Sequence, residues 1–270
     1  MHKIHMLSRL SREIRQAVLE SLAEAGSGHT GGSLDLADIF TCLYFDILRH
    51  NPKFPDWEER DRLILSIGHV APVLYATLAQ AGYFPKQELH TLRKLDSRLQ
   101  GHPGREHGLP GIELSAGSLG QGLSVAVGLA LAARMDEKPW RVYSIHGDGE
   151  LQEGSIWEAA MSASHYRLDN LTALIDRNGL QIDGKTSAVM ELEPLADKWK
   201  AFGWHVVPCD GHDHQDILRA YREAQRTKGM PTVILAHTIM GKGVASIEGD
   251  YRWHGKAPTR EQAAQFIREL

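Results

Sequence analysis

The stretch Gly147-Asp148-Gly149-Glu150-Leu151-Gln152-Glu153-Gly154 decides how this chain is read. Before it, Arg141-Val142-Tyr143-Ser144-Ile145-His146 is a β-branched and aromatic run that predicts a strand. After it, residues 155–166 predict a helix. Glycines at a strand end let backbone N–H groups approach an anion, and the start of the next helix adds partial positive charge. Asp148 puts a carboxylate at the same tip, where a phosphate alone would repel it. A divalent cation between the two reconciles them. Mg²⁺ suits the task, taking carboxylate, carbonyl, water and phosphate oxygens in an octahedron. Further on, residues 171–176 predict a second strand ending at Arg177-Asn178-Gly179, so Asn178 brings an amide oxygen to the same ion.

Outward from that stretch, strands and helices alternate. Residues 6–25 carry Met6, Leu10, Ile14, Ala17, Val18 and Leu22 at helical spacing. The run Gly26-Ser27-Gly28-His29-Thr30-Gly31-Gly32-Ser33 breaks that helix, and Ser33 is the expected N-cap of a helix over 34–48. A strand over 61–66 leads into Gly68-His69, followed by a helix over 71–81 and a short amphipathic helix over 85–95. Residues 97–122 form a long irregular segment holding Gly101-His102-Pro103 and Ser115-Ala116-Gly117-Ser118-Leu119-Gly120-Gln121-Gly122. Long loops in compact folds are usually functional or disordered. The next helix, over 123–133, is almost without charge and is expected to be buried in the core or at a subunit interface. Helices over 194–202 and 215–227, strands over 204–208 and 232–237 and a final helix over 260–270 complete the chain. This order implies an α/β fold: a mostly parallel sheet with helices on both faces and ligands at the carboxyl ends of its strands. His69, His102, Asp148 and Asn178 all fall on that edge.

The bulk properties exclude several classes. A chain of 270 residues with 42% hydrophobic and 24% charged residues is ordinary for a globular protein. A net charge of −4 argues against nucleic acid or a membrane surface as partner. Neither a long apolar span nor a signal-peptide core is visible. Cys42 and Cys209 lie far apart, which suits free buried thiols and a cytoplasmic location. His212-Asp213-His214 lacks further ligands at metal-site spacing, so Asp213 is read as a helix N-cap.

The motifs Gly26-Ser27-Gly28-His29, Gly68-His69, Gly101-His102-Pro103, Gly117-Ser118-Leu119-Gly120-Gln121-Gly122, Gly147-Asp148-Gly149 with Gln152-Glu153-Gly154, Asn178 with Ile182-Asp183-Gly184, and Trp253-His254-Gly255 resemble, in order, the diphosphate-binding half of transketolase. The resemblance covers nearly the whole chain. It implies a thiamine diphosphate (ThDP) enzyme with Mg²⁺, or another divalent ion such as Ca²⁺ or Mn²⁺. Asp148, Asn178 and the Leu180 carbonyl would hold the metal. Gly149, Glu150 and Asn178 would meet the diphosphate, and Gly117, Ser118 and Leu119 the cofactor's rings. His29, His69, His102 and His254 would line the substrate channel, with His69 and His254 also near the cofactor. Imidazoles suit ketol transfer because protons pass to and from hydroxyls near neutral pH. Glu153 and Glu158 are either first-turn acids favoured by the helix dipole or, by the resemblance, members of an interface carboxylate relay. Lys242 meets either an anion or solvent.

The departure from the family is length. Full-length transketolases continue into a pyrimidine-binding and a C-terminal domain, which carry the glutamate that protonates the aminopyrimidine and most of the phosphate-binding arginines. The expectation is therefore one diphosphate-binding domain over 1–270, with a partner C-terminal subunit completing an α₂β₂ transketolase. Sugar phosphates are the expected substrates, a phosphorylated pentose by default and a sulfonated or branched sugar as the alternative. The competing readings are a subunit of another ThDP enzyme, such as a deoxyxylulose phosphate synthase or a decarboxylase, and a non-catalytic ThDP-binding subunit. Polyol-binding histidines have no task in a decarboxylase.

Overall fold

The computed structural model describes residues 2–270. Its elements, in chain order, are α1 (His2–Ala25), α2 (Gly31–Asp35), α3 (Ala37–Cys42), β1 (Arg62–Leu65), α4 (Ala71–Ala81), α5 (Gly122–Met135), β2 (Val142–Gly147), α6 (Gly154–His165), β3 (Leu171–Arg177), β4 (Leu180–Gln181), β5 (Gly184–Lys185), α7 (Thr186–Val189), α8 (Leu195–Ala201), β6 (His205–Asp210), α9 (His214–Arg226), β7 (Thr232–His237) and α10 (Arg260–Glu269). Five strands pair in parallel in the order β1-β2-β3-β7-β6, and β4 and β5 form a separate antiparallel pair. After β3 the chain crosses to the far edge and returns to β7, so the sheet changes direction beside β3.

Both faces of the sheet are apolar. Leu63, Leu65, Tyr143, Ile145, Leu174, Ile234 and Ala236 pack on one side with α1, α3, α4, α9 and α10. Ile64, Val142, Ala173, Ile175, Val233 and Leu235 pack on the other with α5, α6 and α8. Alternation with a period of two thus gives two cores from each strand. It also fixes where polar residues near the carboxyl tips go. His146, in phase with Val142, faces α5 and α6, whereas Asp176, in phase with Leu174, faces α1 to α3.

The predicted strands and the helix over 71–81 are present, with boundaries moved by a residue or two. Three expectations need correction. The helix after the glycine loop starts at Gly31 rather than after Ser33, whose hydroxyl donates back to the His29 carbonyl at 2.7 Å instead of capping. That helix is not continuous to residue 48: it breaks at Leu36 and widens into a π-turn over Leu43–Ile47. The segment over 85–95 forms only a 3₁₀ turn, Lys86–Thr91, with Leu89 its one buried residue. Helix α5 buries Leu123, Ala126, Val127, Ala130 and Ala133 but leaves Ser124, Gly128 and Met135 exposed, so within this chain it is covered on one side. Cys42 and Cys209 are free and buried. No helix among the described residues is long and apolar enough to cross a membrane.

Candidate active site

The carboxyl tips of β1, β2, β3 and β7 surround a cavity of about 130 Å³. Ile67, His69, Leu119, Asp148, Asn178, Leu180, Met240 and His254 are among the residues that line it. A larger groove of about 290 Å³ runs between α1 and α4. That groove, with Glu13, Glu20, Gln80, Lys86 and His90 in its lining, lies away from the strand tips, where ligands of such sheets bind, so the strand-tip cavity is the candidate.

At one end stand carboxylates. Asp148 follows β2 directly and is almost fully buried. Its Oδ1 accepts from the Gly149 N–H and its Oδ2 from the Gly179 N–H, each at 2.7 Å. The Gly149 donor expected to face a diphosphate is thus used in capping the 3₁₀ turn Gly149–Gln152. Burial pushes the Asp148 carboxyl up to about 6 against the pull of these N–H donors and of Arg177. Asn178 Nδ2 donates to Asp35 Oδ2 and Asp176 Oδ2, both at 3.1 Å. Two carboxylates on the amide nitrogen leave Asn178 Oδ1 turned to the other side, where it accepts from the Leu180 N–H at 2.9 Å. Asp35 and Asp176 are themselves buried, and burial raises both. Asp35 Oδ1 has no hydrogen-bond partner. A carboxylate and an oriented amide oxygen beside these raised acids form a donor set that suits a hard divalent cation.

At the other end His69 and His254 line the cavity, with His29 and His102 packed beside them. His29, His69, His102 and His254 come from four separate segments and converge. The ring centroid of His29 lies 4.9 Å from His69, 5.7 Å from His254 and 6.4 Å from His102, and His69 lies 5.1 Å from His254. None of the four pairs with a carboxylate among the described residues. Burial, followed by the neighbouring imidazoles, depresses His69 to about 3. Burial, His254, Arg93 and His102 together depress His29 to about 4. His29 Nδ1 and His254 Nδ1 are buried without partners. These are polar atoms that a ligand rich in hydroxyls would satisfy.

The remaining sequence candidates divide. Leu119 lines the cavity, while Gly117 packs against the His102 ring and Ser118 lies exposed on the same loop. Glu150 borders the cavity, but its carboxylate is engaged elsewhere. Oε1 accepts from the Ser66 hydroxyl and from the Gly120 N–H at 2.8 Å, and Oε2 faces His146 Nδ1 at 3.0 Å. Ser66 Oγ accepts in turn from the Gly122 N–H at 3.0 Å, so Glu150 anchors the glycine loop. Glu153 and Glu158 are exposed outside the cavity. Lys242 sits 3.3 Å from Glu248 and does not line the cavity. Asp213 caps α9, accepting from the Gln215 N–H at 2.9 Å, and His212 and His214 turn to Asp38 at 3.0 and 3.5 Å.

Sequence reasoning did not reach Asp35, Asp176, Ser66, His146 or the apolar lining by Ile67 and Met240. Only Asp176 had a signal: it lies two residues before Asn178 at the end of a strand, which places the pair on one face.

Known proteins resemble this chain in sequence and fold. Residues 7–270 match the family described as transketolase, thiamine diphosphate binding domain. The chain is 47% identical over 264 residues to the 6-deoxy-6-sulfo-D-fructose transketolase subunit of a Clostridium species, covering 98% of this chain and 96% of that one. It is 44% identical to an apulose-4-phosphate transketolase subunit of Phocaeicola vulgatus, covering 99% and 95%. Human transketolase is 38% identical over 269 residues, which are 42% of its length. The solved transketolase of Leishmania mexicana superposes with a TM-score of 0.91 at 33% identity, over 96% of this chain and 40% of that one. The chain thus spans nearly the full length of the subunit relatives and well under half of the full-length enzymes. By sequence and by fold, it belongs to the transketolase family through the thiamine diphosphate-binding domain.

Proposed function

We propose that this chain is the diphosphate-binding subunit of a two-chain transketolase, moving a two-carbon ketol unit from a ketose to an aldose. The carrying observation is the union of Asp148, Asn178 and Leu180 with four carboxylate-free imidazoles on one sheet edge. ThDP, when bound, supplies the electron sink for breaking the carbon–carbon bond beside a carbonyl. Asp148, Asn178 Oδ1 and the Leu180 carbonyl would hold Mg²⁺, with Ca²⁺ or Mn²⁺ as substitutes. His29, His69 and His254 would bind sugar hydroxyls and exchange protons with them as neutral bases. His102, exposed at the rim, would meet the substrate from the open side.

A second chain would supply the other half of the site. Support comes from length: relatives named as subunits are matched almost end to end, and full-length transketolases over about 40%. On this reading residues 1–270 act as one diphosphate-binding unit in an α₂β₂ assembly. The exposed Glu153 and Glu158 would then reach a neighbouring copy. The donor we favour is a modified ketose, sulfonated or branched, because the two subunit relatives are named for such sugars.

The test is co-purification with a candidate second subunit, followed by ketol-transfer assays with ThDP and Mg²⁺. Donors would be 6-deoxy-6-sulfofructose, apulose 4-phosphate and xylulose 5-phosphate. Transfer by the mixture and not by either chain alone is expected, with a modified ketose preferred. Transfer by this chain alone would overturn the two-chain reading, and preference for xylulose 5-phosphate would overturn the substrate reading.

A further inference from the structure

Arg93 lies outside every motif read from the sequence, yet it stands behind two of the site's imidazoles. Among the described residues it is one of four non-glycine residues with positive φ, at 61°. A side chain in that region persists only where its surroundings hold it. Its N–H donates to the Leu99 carbonyl at 2.8 Å, closing the turn that leads to His102. Its guanidinium then occupies the place of a missing side chain. A Cβ on Gly101 would stand 2.6 Å from Arg93 Cζ, 2.7 Å from Nη2 and 2.8 Å from Nε. On Gly28 it would stand 3.6 Å from Nε and 2.5 Å from Leu22 Cδ2. Gly28 and Gly101 immediately precede His29 and His102. Arg93 Nε is buried without a partner, and no ion pair of Arg93 occurs among the described residues.

We propose that Arg93 is a positioning residue for the ketol-transfer site, its guanidinium seated on Gly101 and against Gly28 so as to set the separation of His29 and His102 and to supply the fixed positive charge behind both. The proposal rests on the transketolase reading for its chemistry, but not for its geometry. The charged and titratable groups acting on His29 are His254, Arg93 and His102, with the His69 ring tilted beside it; on His102 the acting charge is Arg93. No carboxylate is among them. A cation held at a fixed distance makes each ring a poorer proton holder, so both remain free to accept hydrogen bonds and protons from a polyol near neutral pH. A carboxylate partner would do the opposite.

Two measurements on the full chain, neither needing cofactor or turnover, test this. In a ¹⁵N-detected histidine titration, Arg93→Gln should raise the pKa of both His102 and His29. The His102 shift should be the larger, because the guanidinium seats directly on Gly101, next to His102, and only reaches the edge of Gly28, next to His29. Arg93→Lys should leave both low. Unchanged titrations in Arg93→Gln would overturn the electrostatic role. The second measurement is a double-mutant cycle in thermal stability. Gly101→Ala should lower Tm in the wild-type background and cost little or nothing in Arg93→Ala, where the space is free. Equal losses in both backgrounds would overturn the wedge. If ketol transfer is never observed while the titration and the cycle behave as described, the functional reading fails and the role of Arg93 stands.

Discussion

The two ends of the cavity bury the same kind of problem with opposite solutions. At the carboxylate end, burial raises Asp35, Asp148 and Asp176 toward their neutral forms. At the imidazole end, burial lowers His29 and His69 toward theirs. The difference lies in what stands ready to restore charge. Asp148 and the oriented Asn178 carbonyl face a space where a divalent ion would make the ionised form favourable. The imidazoles have other imidazoles and Arg93 around them, and these penalise the ionised form further. One end is built to be charged by a ligand and the other to stay neutral beside it. That division suits a reaction in which a phosphate group is anchored and hydroxyl protons are moved.

The harshest way to break the comparison is to remove the anchoring end. Asp148→Ala should lower Mg²⁺-dependent ThDP affinity more than about a hundredfold, because even the outer partners of a metal ligand typically account for 10–100-fold. Isothermal titration with ThDP, with and without Mg²⁺, decides it; wild-type affinity would show that the ion is not held here. A fifth imidazole probes the contrast from the other side. His146 is buried more completely than the half-buried His69 and faces a carboxylate, and this imidazole, with the hydrogen bonds from Ser66 and Gly120, holds Glu150 below its usual range despite burial. Glu150→Ala strips the acceptor from the Ser66 hydroxyl, the Gly120 N–H and the His146 N–H, and should cost about 3 kcal/mol in urea unfolding. Glu150→Gln should cost less. Its amide can donate to His146 Nδ1 in the other tautomer, whose Nε2–H would then reach Ser144 Oγ, 2.9 Å away. Equal losses in the two variants would mean that the hydrogen bonds of Glu150 are not what holds the loop.

Much of this was legible in the sequence, and what escaped has a common cause. Asp148 and Asn178 could be placed because parallel strands put consecutive tips side by side, and the observed register pairs Gly147 with Asp176. His29, His69, His102 and His254 were marked by flanking glycines, which signal backbone passing close to something. Asp35, Arg93 and Ser66 carry no such local mark. Each works through a partner distant in sequence: Asn178 for Asp35, Gly28 for Arg93, Glu150 for Ser66. Short-range pattern does not encode those meetings. The misplaced start of α2 has a local cause: a serine in a glycine-rich approach can bond backward to a carbonyl as readily as forward to an N–H.

Acid sharpens the comparison because the two ends respond with opposite sign. Folded His69 takes a proton only near 3, and the unfolded side chain near 6.5. Between those values the unfolded chain binds more protons, so stability is lost as pH falls through the window, by about 2 kcal/mol for His69 near pH 5. His29 acts in the same direction, more weakly because it is less deeply buried. Asp148, raised to about 6, runs the other way: its folded carboxyl holds a proton that the unfolded one releases near 3.8, so its contribution falls as pH rises through about 4 to 6. In the free chain the two slopes partly cancel. If Asp148 holds Mg²⁺ as proposed, ThDP and Mg²⁺ would keep it ionised and remove its opposing slope, and the loss of Tm from pH 6.5 to about 5 should steepen. His69→Gln should flatten it. A profile unaffected by both changes would mean that neither end carries the burial penalties described.

The smallest effect is expected at the rim. His102 is the most open of the four imidazoles, its ring resting against Gly117 rather than inside the cavity. Truncating it removes little packing, so His102→Ala should leave Tm and ThDP affinity nearly unchanged. The imidazole's own work should suffer instead. Loss of one hydrogen bond to a sugar hydroxyl is worth about 1 to 1.5 kcal/mol, or roughly tenfold in kcat/KM for ketol transfer by the assembled enzyme. Steady-state kinetics beside ThDP titration separates the two. If ThDP affinity falls with the rate, His102 belongs to the anchoring end. If neither moves, the neutral end is made of His29, His69 and His254 alone, and Arg93 acts on the chemistry through His29.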